Sequence, residues 1–315
     1  VTPAPGSWGV AATIKAPVDE VLNFVAYHLD AGAARVFVYL DDANMAARDI
    51  LWGVDRVTTK LCDDRWWAKH GERPQEHRAR QSVNANHAYR RMKQYAQWYA
   101  HIDVDEFVWP GQGIDIADIL PRQDADTQSL RMHPVEMLQG DGTAFKDRIA
   151  WNKGAGRDVA ERVYPAYGGF LKGGFIGHTA GKVFVRTAQD GLRVKIHNVF
   201  QNGTRNPAET IDPDLILCHA HASSWDQFRT MLAYRMDKGS YRKELPAWDG
   251  VSRHELFKTL LEELGDAGLR GLYDEVCLDT PRLRNALEKE GLLRICPLDL
   301  EAKRQRHFGH QTPQP

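Results

Sequence analysis

The sequence predicts an α/β fold: a mixed, mostly parallel sheet flanked by helices, with a helical extension at its C-terminal end. Three observations carry this expectation. Strand, helix and strand alternate within the first 40 residues, short apolar runs recur through the middle of the chain, and helical spacing takes over after Ser224. Strand–helix–strand in about 30 residues is the signature of a βαβ unit and hence of a parallel sheet.

Residues 10–14 (Val-Ala-Ala-Thr-Ile) read as the first strand. After Pro17, apolar residues at Val21, Leu22, Val25, Ala26 and Leu29 keep helical spacing over 19–31, and Gly32 stops the helix as a C-cap does. Arg35-Val-Phe-Val-Tyr-Leu40 is a β-rich run that ends in Asp41-Asp42. Residues 54–61 form a weaker strand candidate, 74–95 are polar and helical in character, and 98–102 supply the next strand. A short helix over 114–120 ends at Pro121, and 129–133 read as another strand. The stretch 140–181 is rich in glycine and aromatics with little periodicity, which predicts loops and short strands. Residues 182–186 and 194–199 are strand-like, and 215–221 form the last β-run. From Ser224 helical spacing dominates to about residue 290, with a break near Pro246. The polar segment 301–315 is expected to fray. These boundaries place a sheet-bearing domain at residues 1–223 and a helical extension with a frayed tail at 224–315.

The chain of 315 residues can bury a sizeable core. Its 41 basic and 42 acidic residues nearly cancel, so no electrostatic footprint for nucleic acid stands out. Cys62, Cys218, Cys277 and Cys296 are far apart and lack CxxC spacing, which favours reduced thiols over a disulfide framework or a zinc knot. No apolar run approaches the roughly 18 residues of a membrane span. The first residues lack the layout of a signal peptide, although a start at Val1 rather than Met leaves a lost leader open. The expectation is a soluble cytoplasmic protein without a transmembrane segment, with peripheral membrane contact left open.

The run His101-Ile-Asp-Val-Asp-Glu-Phe107 is the most informative stretch. It sets two carboxylates at i and i+2 where an apolar segment gives way to Pro110-Gly-Gln-Gly113. On extended backbone such side chains share a face, and crowded carboxylates call for a compensating cation or a shared proton. Asp103 and Asp105 are therefore candidate ligands of a divalent metal. The alternative is a strand-ending turn whose aspartates cap backbone amides. Glu106, three residues from Asp103, is expected to face away from the pair and to support it by hydrogen bonding.

His219 and His221 alternate on a late strand and could ligate metal; the alternative is one buried and one surface histidine. One imidazole joined to the Asp pair would suit manganese or magnesium. Asp41 and Asp42 follow the second strand, where a carboxylate can accept from ribose hydroxyls or simply serve a turn. Lys15 could meet a phosphate or stay solvated. The glycine-rich run 168–182 fails as a P-loop, because Val183 stands where Ser or Thr would bind magnesium; a mobile loop near a substrate fits it better. No nucleophile elbow and no HExxH helix occur.

Together these pieces resemble the glycosyltransferases of the GT-A fold, a Rossmann-like architecture, and in particular their family-2-like and family-92-like group. The resemblance covers roughly residues 10–240. It runs through Ala11-Ala-Thr-Ile-Lys-Ala-Pro17, Val36-Phe-Val-Tyr-Leu-Asp-Asp42, Arg80-Gln-Ser-Val-Asn-Ala-Asn86 and Trp98-Tyr-Ala-His-Ile-Asp-Val-Asp-Glu-Phe107. It continues through Gly181-Lys-Val-Phe-Val-Arg186, Lys195-Ile-His-Asn198 and His219-Ala-His-Ala-Ser-Ser-Trp-Asp-Gln-Phe228. It departs at Ala16-Pro17, where such proteins often carry Asn-Glu.

The resemblance implies that Asp103 and Asp105 form a DxD motif holding Mn²⁺ or Mg²⁺ on a nucleotide-sugar diphosphate, with His219 as a late metal or diphosphate ligand. Thr13, Lys15 and Asp42 would surround the nucleotide, expected to be that of a UDP-sugar, and Arg80 would lie near its phosphates or base. Residues 1–223 would then be the nucleotide-sugar-binding catalytic domain. The partners implied are the donor and a glycan or small-molecule acceptor near the glycine-rich loop, and transfer is expected to invert the anomeric centre. Inversion needs a carboxylate base; Glu136, Asp141 and Glu161 are available, and Asp141, between glycines, is the preferred candidate, with an ordinary turn role as the alternative. A metal-dependent nucleotide-sugar phosphohydrolase or nucleotidyltransferase, or a non-catalytic glycan-binding protein, would use similar residues.

Overall fold

The computed structural model describes residues 2–150, 154–221, 224–237 and 251–309. Trp151, the expected break near Pro246 and the chain end over 310–315 lie outside the described residues. The chain forms two compact units interleaved in sequence. The first comprises Val1–His133, Ala180–Leu217 and Leu298–Pro315; the second comprises Pro134–Thr179 and Cys218–Pro297. The fold is mixed α/β, with a sheet that is parallel at its centre and helices around it, as a GT-A-like fold requires.

The first unit opens with β1 (Trp8–Ile14), α1 (Val18–Asp30), β2 (Arg35–Leu40), α2 (Met45–Leu51), β3 (Val57–Leu61), α3 (Asp64–Ala68), α4 (His77–Met92), β4 (Trp98–His101) and β5 (Glu106–Trp109). β1 pairs in parallel with β2, Ile14 lying opposite Leu40, and with β4, Ala11 lying opposite His101. β2 pairs in parallel with β3. Beyond β4 the sheet turns antiparallel through Lys182–Arg186 and then the first half of Ser129–Met137.

Strand alternation divides the core in two. Val10, Ala12 and Ile14 of β1, Val36, Val38 and Leu40 of β2, and Trp98 and Ala100 of β4 join the apolar stripe of α1. The intervening Ala11, Phe37, Tyr39 and Tyr99 join Ala85, Ala88 and Met92 of α4. Because both faces are covered, these strands read as continuous apolar runs. Gly32 follows α1 with φ +90°, the backbone state that makes glycine the natural stop there.

Three expectations are corrected in this unit. Residues 194–199 are not one strand: Leu192–Val194 ends, Lys195 N donates to Asn198 O at 2.8 Å, and Val199–Gln201 returns antiparallel to it. Thr204–Arg205 completes a three-stranded ribbon. The last β-run begins earlier than expected, at Glu209, and reaches His219. The polar tail does not fray throughout, because Leu300–Phe308 is a helix. Phe308 is buried, and Arg304 and Arg306 pair with Asp19 and Asp30 of α1 at 2.9 and 2.6 Å.

In the second unit, the end of Ser129–Met137 pairs antiparallel with Ala144–Lys146, which pairs with Leu293–Ile295. Helices Ala155–Val163, Trp225–Asp237, Arg253–Val276 and Pro281–Lys289 build its core from Val163, Phe228, Phe257, Leu272, Tyr273 and Leu283. The helix at Ala155–Val163 was not expected inside the glycine-rich stretch. Ser252 and Glu255 form a capping box at the start of Arg253–Val276, and Thr280 caps the next helix with Pro281 in its first turn.

Candidate active site

β1, β2 and β4 run parallel, so their carboxyl ends lie side by side, the edge at which open α/β sheets take ligands. Asp103 stands just past the end of β4. Ile102 N still donates to Ala11 O at 3.0 Å, and then the chain turns, with Glu106 N donating to Asp103 O at 3.1 Å. Val104 and Asp105 occupy that turn, so the same-face argument for an extended Asp-x-Asp pair does not hold here. Asp105 is half-buried and close enough to Glu20 of α1 to add to the effect of burial in raising the Glu20 carboxyl above its usual range.

Asp103 is held from three sides. Gln81 of α4 donates to Oδ1 at 2.7 Å, Lys182 Nζ lies 2.7 Å from Oδ2, and the Asp103 amide donates to Glu106 Oε2 at 2.7 Å. Glu106 therefore does not face away as expected; its Oε2 also lies 3.2 Å from Lys182 Nζ. Lys182 and Glu106 are fully buried, whereas 30% of the Asp103 side chain stays exposed and within reach of a ligand. Burial alone would raise the Asp103 carboxyl, yet the Lys182 ammonium holds it far below the usual carboxylate range. Burial would likewise lower Lys182, but Asp103 and Glu106 keep it above the ordinary lysine range. Burial and the nearby Lys182 push the His101 imidazole down to about 4, so the ring beside this cluster is neutral at physiological pH.

At the neighbouring strand ends, Thr13 is buried and accepts from Asn84 Nδ2 at 3.2 Å, while Lys15 is exposed. Asp42, the expected ribose contact, is exposed on the turn after β2. Its neighbour Asp41 is the buried one. Arg80 Nε and Arg73 Nη2 bind Asp41 at 2.7 and 2.9 Å, and although burial would raise this carboxyl, His77 and Arg80 hold it below its usual range. Arg80 also donates to the carbonyls of Pro74 and Gln75, so much of the guanidinium expected near a nucleotide is engaged by the protein itself.

One face of α4 explains this cluster. His77, Arg80, Gln81 and Asn84 recur at i, i+3, i+4 and i+7, which places them along a single stripe. That stripe meets Asp41, Asp103 and Thr13 at the ends of β2, β4 and β1. The helix is polar because the face it presents to the strand ends is polar.

The second unit holds the remaining predicted residues. His219 is buried, with its ring centroid 5.4 Å from that of His178 and 5.0 Å from that of His221. The glycine-rich run that leads to His178 is mostly buried and anchored rather than mobile: Ile176 N donates to Glu136 Oε2 at 3.1 Å and Gly177 N to Oε1 at 2.5 Å. Glu136 also sits 3.4 Å from the buried Lys146 Nζ and is committed to structure. Asp141 is exposed and accepts from the Thr143 amide at 2.9 Å and hydroxyl at 2.6 Å, an Asx turn. Those bonds, and Arg284 nearby, hold its carboxyl below the usual range. Glu161 pairs with Arg157 one helical turn away, at 2.7 Å.

Sequence reasoning missed Gln81, Lys182 and His178, and it did not separate the buried Asp41 from the exposed Asp42. For Gln81 a signal existed in the polar stripe of α4. Lys182 looked like the edge of an ordinary strand, 79 residues from Asp103.

The donor chemistry of the first unit fits an oxygen-binding divalent cation. Asp103 and Glu106 offer carboxylate oxygens within 4.8 Å of one another, and Asp103 is ionised, with lone pairs left beside its bonds to Gln81 and Lys182.

Three solved structures resemble the chain remotely. HddC from Yersinia pseudotuberculosis shows 9% identity and a TM-score of 0.34, over 72% of this chain and 98% of that one. The 4-diphosphocytidyl-2C-methyl-D-erythritol synthase from Anaerococcus prevotii shows 8% identity and a TM-score of 0.32, over 73% and 98%. The mannose-1-phosphate geranyltransferase from Thermus thermophilus shows 9% identity and a TM-score of 0.26, over 92% and 69%. No curated protein matches the chain. Residues 13–167, which hold Thr13, Lys15, Asp42, Arg80, Asp103, Asp105 and Asp141, match the model of glycosyltransferase family 92. That match, which spans just under half of the chain, supports a family-92-like glycosyltransferase.

Proposed function

We propose that the enzyme is metal-dependent and moves a sugar from a nucleotide-sugar donor, with UDP as the nucleotide, to a hydroxyl of a sugar or glycan acceptor with inversion. The observation that carries this reading is the exposed part of the ionised Asp103 carboxylate, fixed by Gln81 and Lys182 at the carboxyl edge of the parallel strands. A bound Mn²⁺ or Mg²⁺ would act as a Lewis acid on the departing diphosphate.

In this reading Asp103 is the principal metal ligand, Asp105 the second carboxylate of the motif, and His219 a late metal or diphosphate ligand. Lys182 and Gln81 position Asp103, so that its geometry is set before the donor arrives. Lys15, exposed after β1, and Thr13 lie toward the nucleotide, and Asp42 accepts from its ribose. Arg80 holds Asp41 and thereby shapes the wall next to the nucleotide. Asp141 takes the proton of the acceptor hydroxyl; it is the carboxylate of the central region that is both exposed and set on a turn next to glycines. A cytoplasmic location belongs to this reading and is supported by four buried, unpaired thiols. Among the described residues, no helix is long and apolar enough to cross a membrane.

The test is product identity. The full chain is incubated with UDP-, GDP- and dTDP-sugars, Mn²⁺ and a mixture of glycan acceptors. Nucleoside diphosphate together with a glycosylated acceptor is expected. Nucleoside monophosphate together with sugar phosphate would instead mark hydrolysis of the diphosphate and overturn the transfer reading.

A further inference from the structure

A groove of about 820 Å³ lies in the first unit between the outer face of α4 and the three-stranded ribbon. Its lining includes Arg90, Arg193, Lys195, Phe200 and Asn202, and no carboxylate lines it among the described residues. Nothing in the transfer chemistry above uses it.

The groove's construction follows from strand alternation and one amide. Leu192 and Val194 are buried and Arg193 and Lys195 are exposed, so the two cations project to the same side of the chain. Arg193 stands directly opposite Phe200, and Phe200 directly opposite Arg205, across the ribbon. Directly opposed residues of antiparallel strands share a face, so a half-buried aromatic ring is flanked by a cation on either side. Asn86 of α4 fixes the ribbon in place: its Nδ2 donates to Val194 O at 2.8 Å, and its Oδ1 accepts from Val194 N at 2.9 Å. Arg90, one helical turn further along α4, adds a third lining cation.

These cations are uncommitted. Arg73, Arg80 and Arg131 of the same unit each bind a carboxylate, whereas the side chains of Arg90, Arg193 and Lys195 form no ion pair or hydrogen bond among the described residues. The chain carries a net charge of −1, so this is local concentration of positive charge rather than a reflection of composition. Cations left unpaired around a concave, partly aromatic surface recognise a ligand with several negative charges.

We propose that this groove binds an anionic saccharide, the charged arm of an acidic glycan acceptor bearing carboxylate or sulfate groups. The proposal rests on the glycosyltransferase reading for the acceptor role, though not for the binding itself. A saccharide is favoured over a nucleic-acid strand because stacking of successive bases needs a series of aromatic platforms. Among the described residues that line the groove Phe200 is the single ring, while Asn202 adds an exposed amide suited to hydroxyls.

The test titrates the full chain, without donor or metal, with a sulfated hexasaccharide, a hexuronate, a neutral hexasaccharide and a single-stranded oligonucleotide of equal charge. Each is compared between the native protein and the Arg193→Glu/Lys195→Glu variant, with thermal melting as a check on folding and UDP binding as a control. The sulfated or uronate probe should bind, weaken with added salt, and lose about tenfold or more in affinity in the variant, while UDP binding stays unchanged. Equal binding of the neutral hexasaccharide, tighter binding of the oligonucleotide, or an unaltered affinity in a well-folded variant would overturn the proposal. Product analysis tests the transferase reading separately, so failure of either can be told from failure of the other.

Discussion

Lys182 Nζ sits 2.7 Å from Asp103 Oδ2 and 3.2 Å from Glu106 Oε2, with its side chain completely buried. The protein thus carries a fixed cation inside the carboxylate cluster at the end of β4. Two acids and one base leave a net negative charge there, and Asp103 is the member that reaches solvent.

Replacing Lys182 removes that internal counter-charge. Lys182→Met leaves Glu106 buried beside Asp103 with no cation, and breaking a buried pair by deleting one partner costs about 3 to 5 kcal/mol. Chemical denaturation should show a loss of that order. The double variant Lys182→Met/Glu106→Gln, which removes the orphaned charge as well, should recover part of it.

Acid should weaken the same cluster. The folded state holds the Asp103 carboxyl below the value of roughly 3.9 expected in an unfolded chain. Its contribution is therefore complete above that unfolded value and is lost as pH falls through the lower folded one. Urea midpoints of the native protein and Asp103→Asn, followed from pH 7 to pH 2, should differ at neutral pH and converge in acid. A gap that widens on acidification would mean that Asp103 is not held ionised.

Gly177 has no room for a side chain. A Cβ there would stand 2.6 Å from Glu136 Oε1 and 3.2 Å from His219 Cε1. Gly177→Ala should cost about 1 to 3 kcal/mol of stability through overpacking and displace the His219 ring. Thermal melting reads the first effect, and the imidazole resonance of His219 in an NMR spectrum reads the second.

Asp141→Asn separates a base from a turn aspartate. An asparagine oxygen can still accept from Thr143, so the Asx turn and the melting temperature should be retained. Loss of the proton acceptor should lower kcat by about a hundredfold or more. A turnover within a few-fold of the native rate would leave Asp141 with its turn role alone.

Much of the fold was legible because local signals and tertiary demands agreed. Arg35–Leu40 and Lys182–Arg186 are strands with the bounds their β-rich runs predicted, since their buried valines and aromatic residues also favour extended backbone. Helix Ala155–Val163 was hidden by the glycines at 154 and 156 and by a stripe of only a few apolar residues, and the second unit's core supplies its stability. Leu300–Phe308 was hidden by its charge: Glu301, Lys303, Arg304, Arg306 and His307 fill most of it, and its anchors, Asp19, Asp30 and the core around Phe308, lie far away in sequence. The site was readable only where one motif carried it. Asp103 stood out, but Asp41 and Asp42 are indistinguishable on a line and differ only in which side the strand end buries. Gln81 and Lys182 reach Asp103 from 22 and 79 residues away, distances at which no spacing rule operates.

The measurement that bears most directly on the account is calorimetric titration of UDP, with and without Mn²⁺, into the native protein and into Asp103→Asn. If Asp103 holds the metal on the diphosphate, Mn²⁺ should tighten UDP binding to the native protein by tenfold or more and have little effect on the variant, which remains folded. Equal enhancement by Mn²⁺ in both proteins, or none in either, would contradict the assignment of Asp103 to the metal.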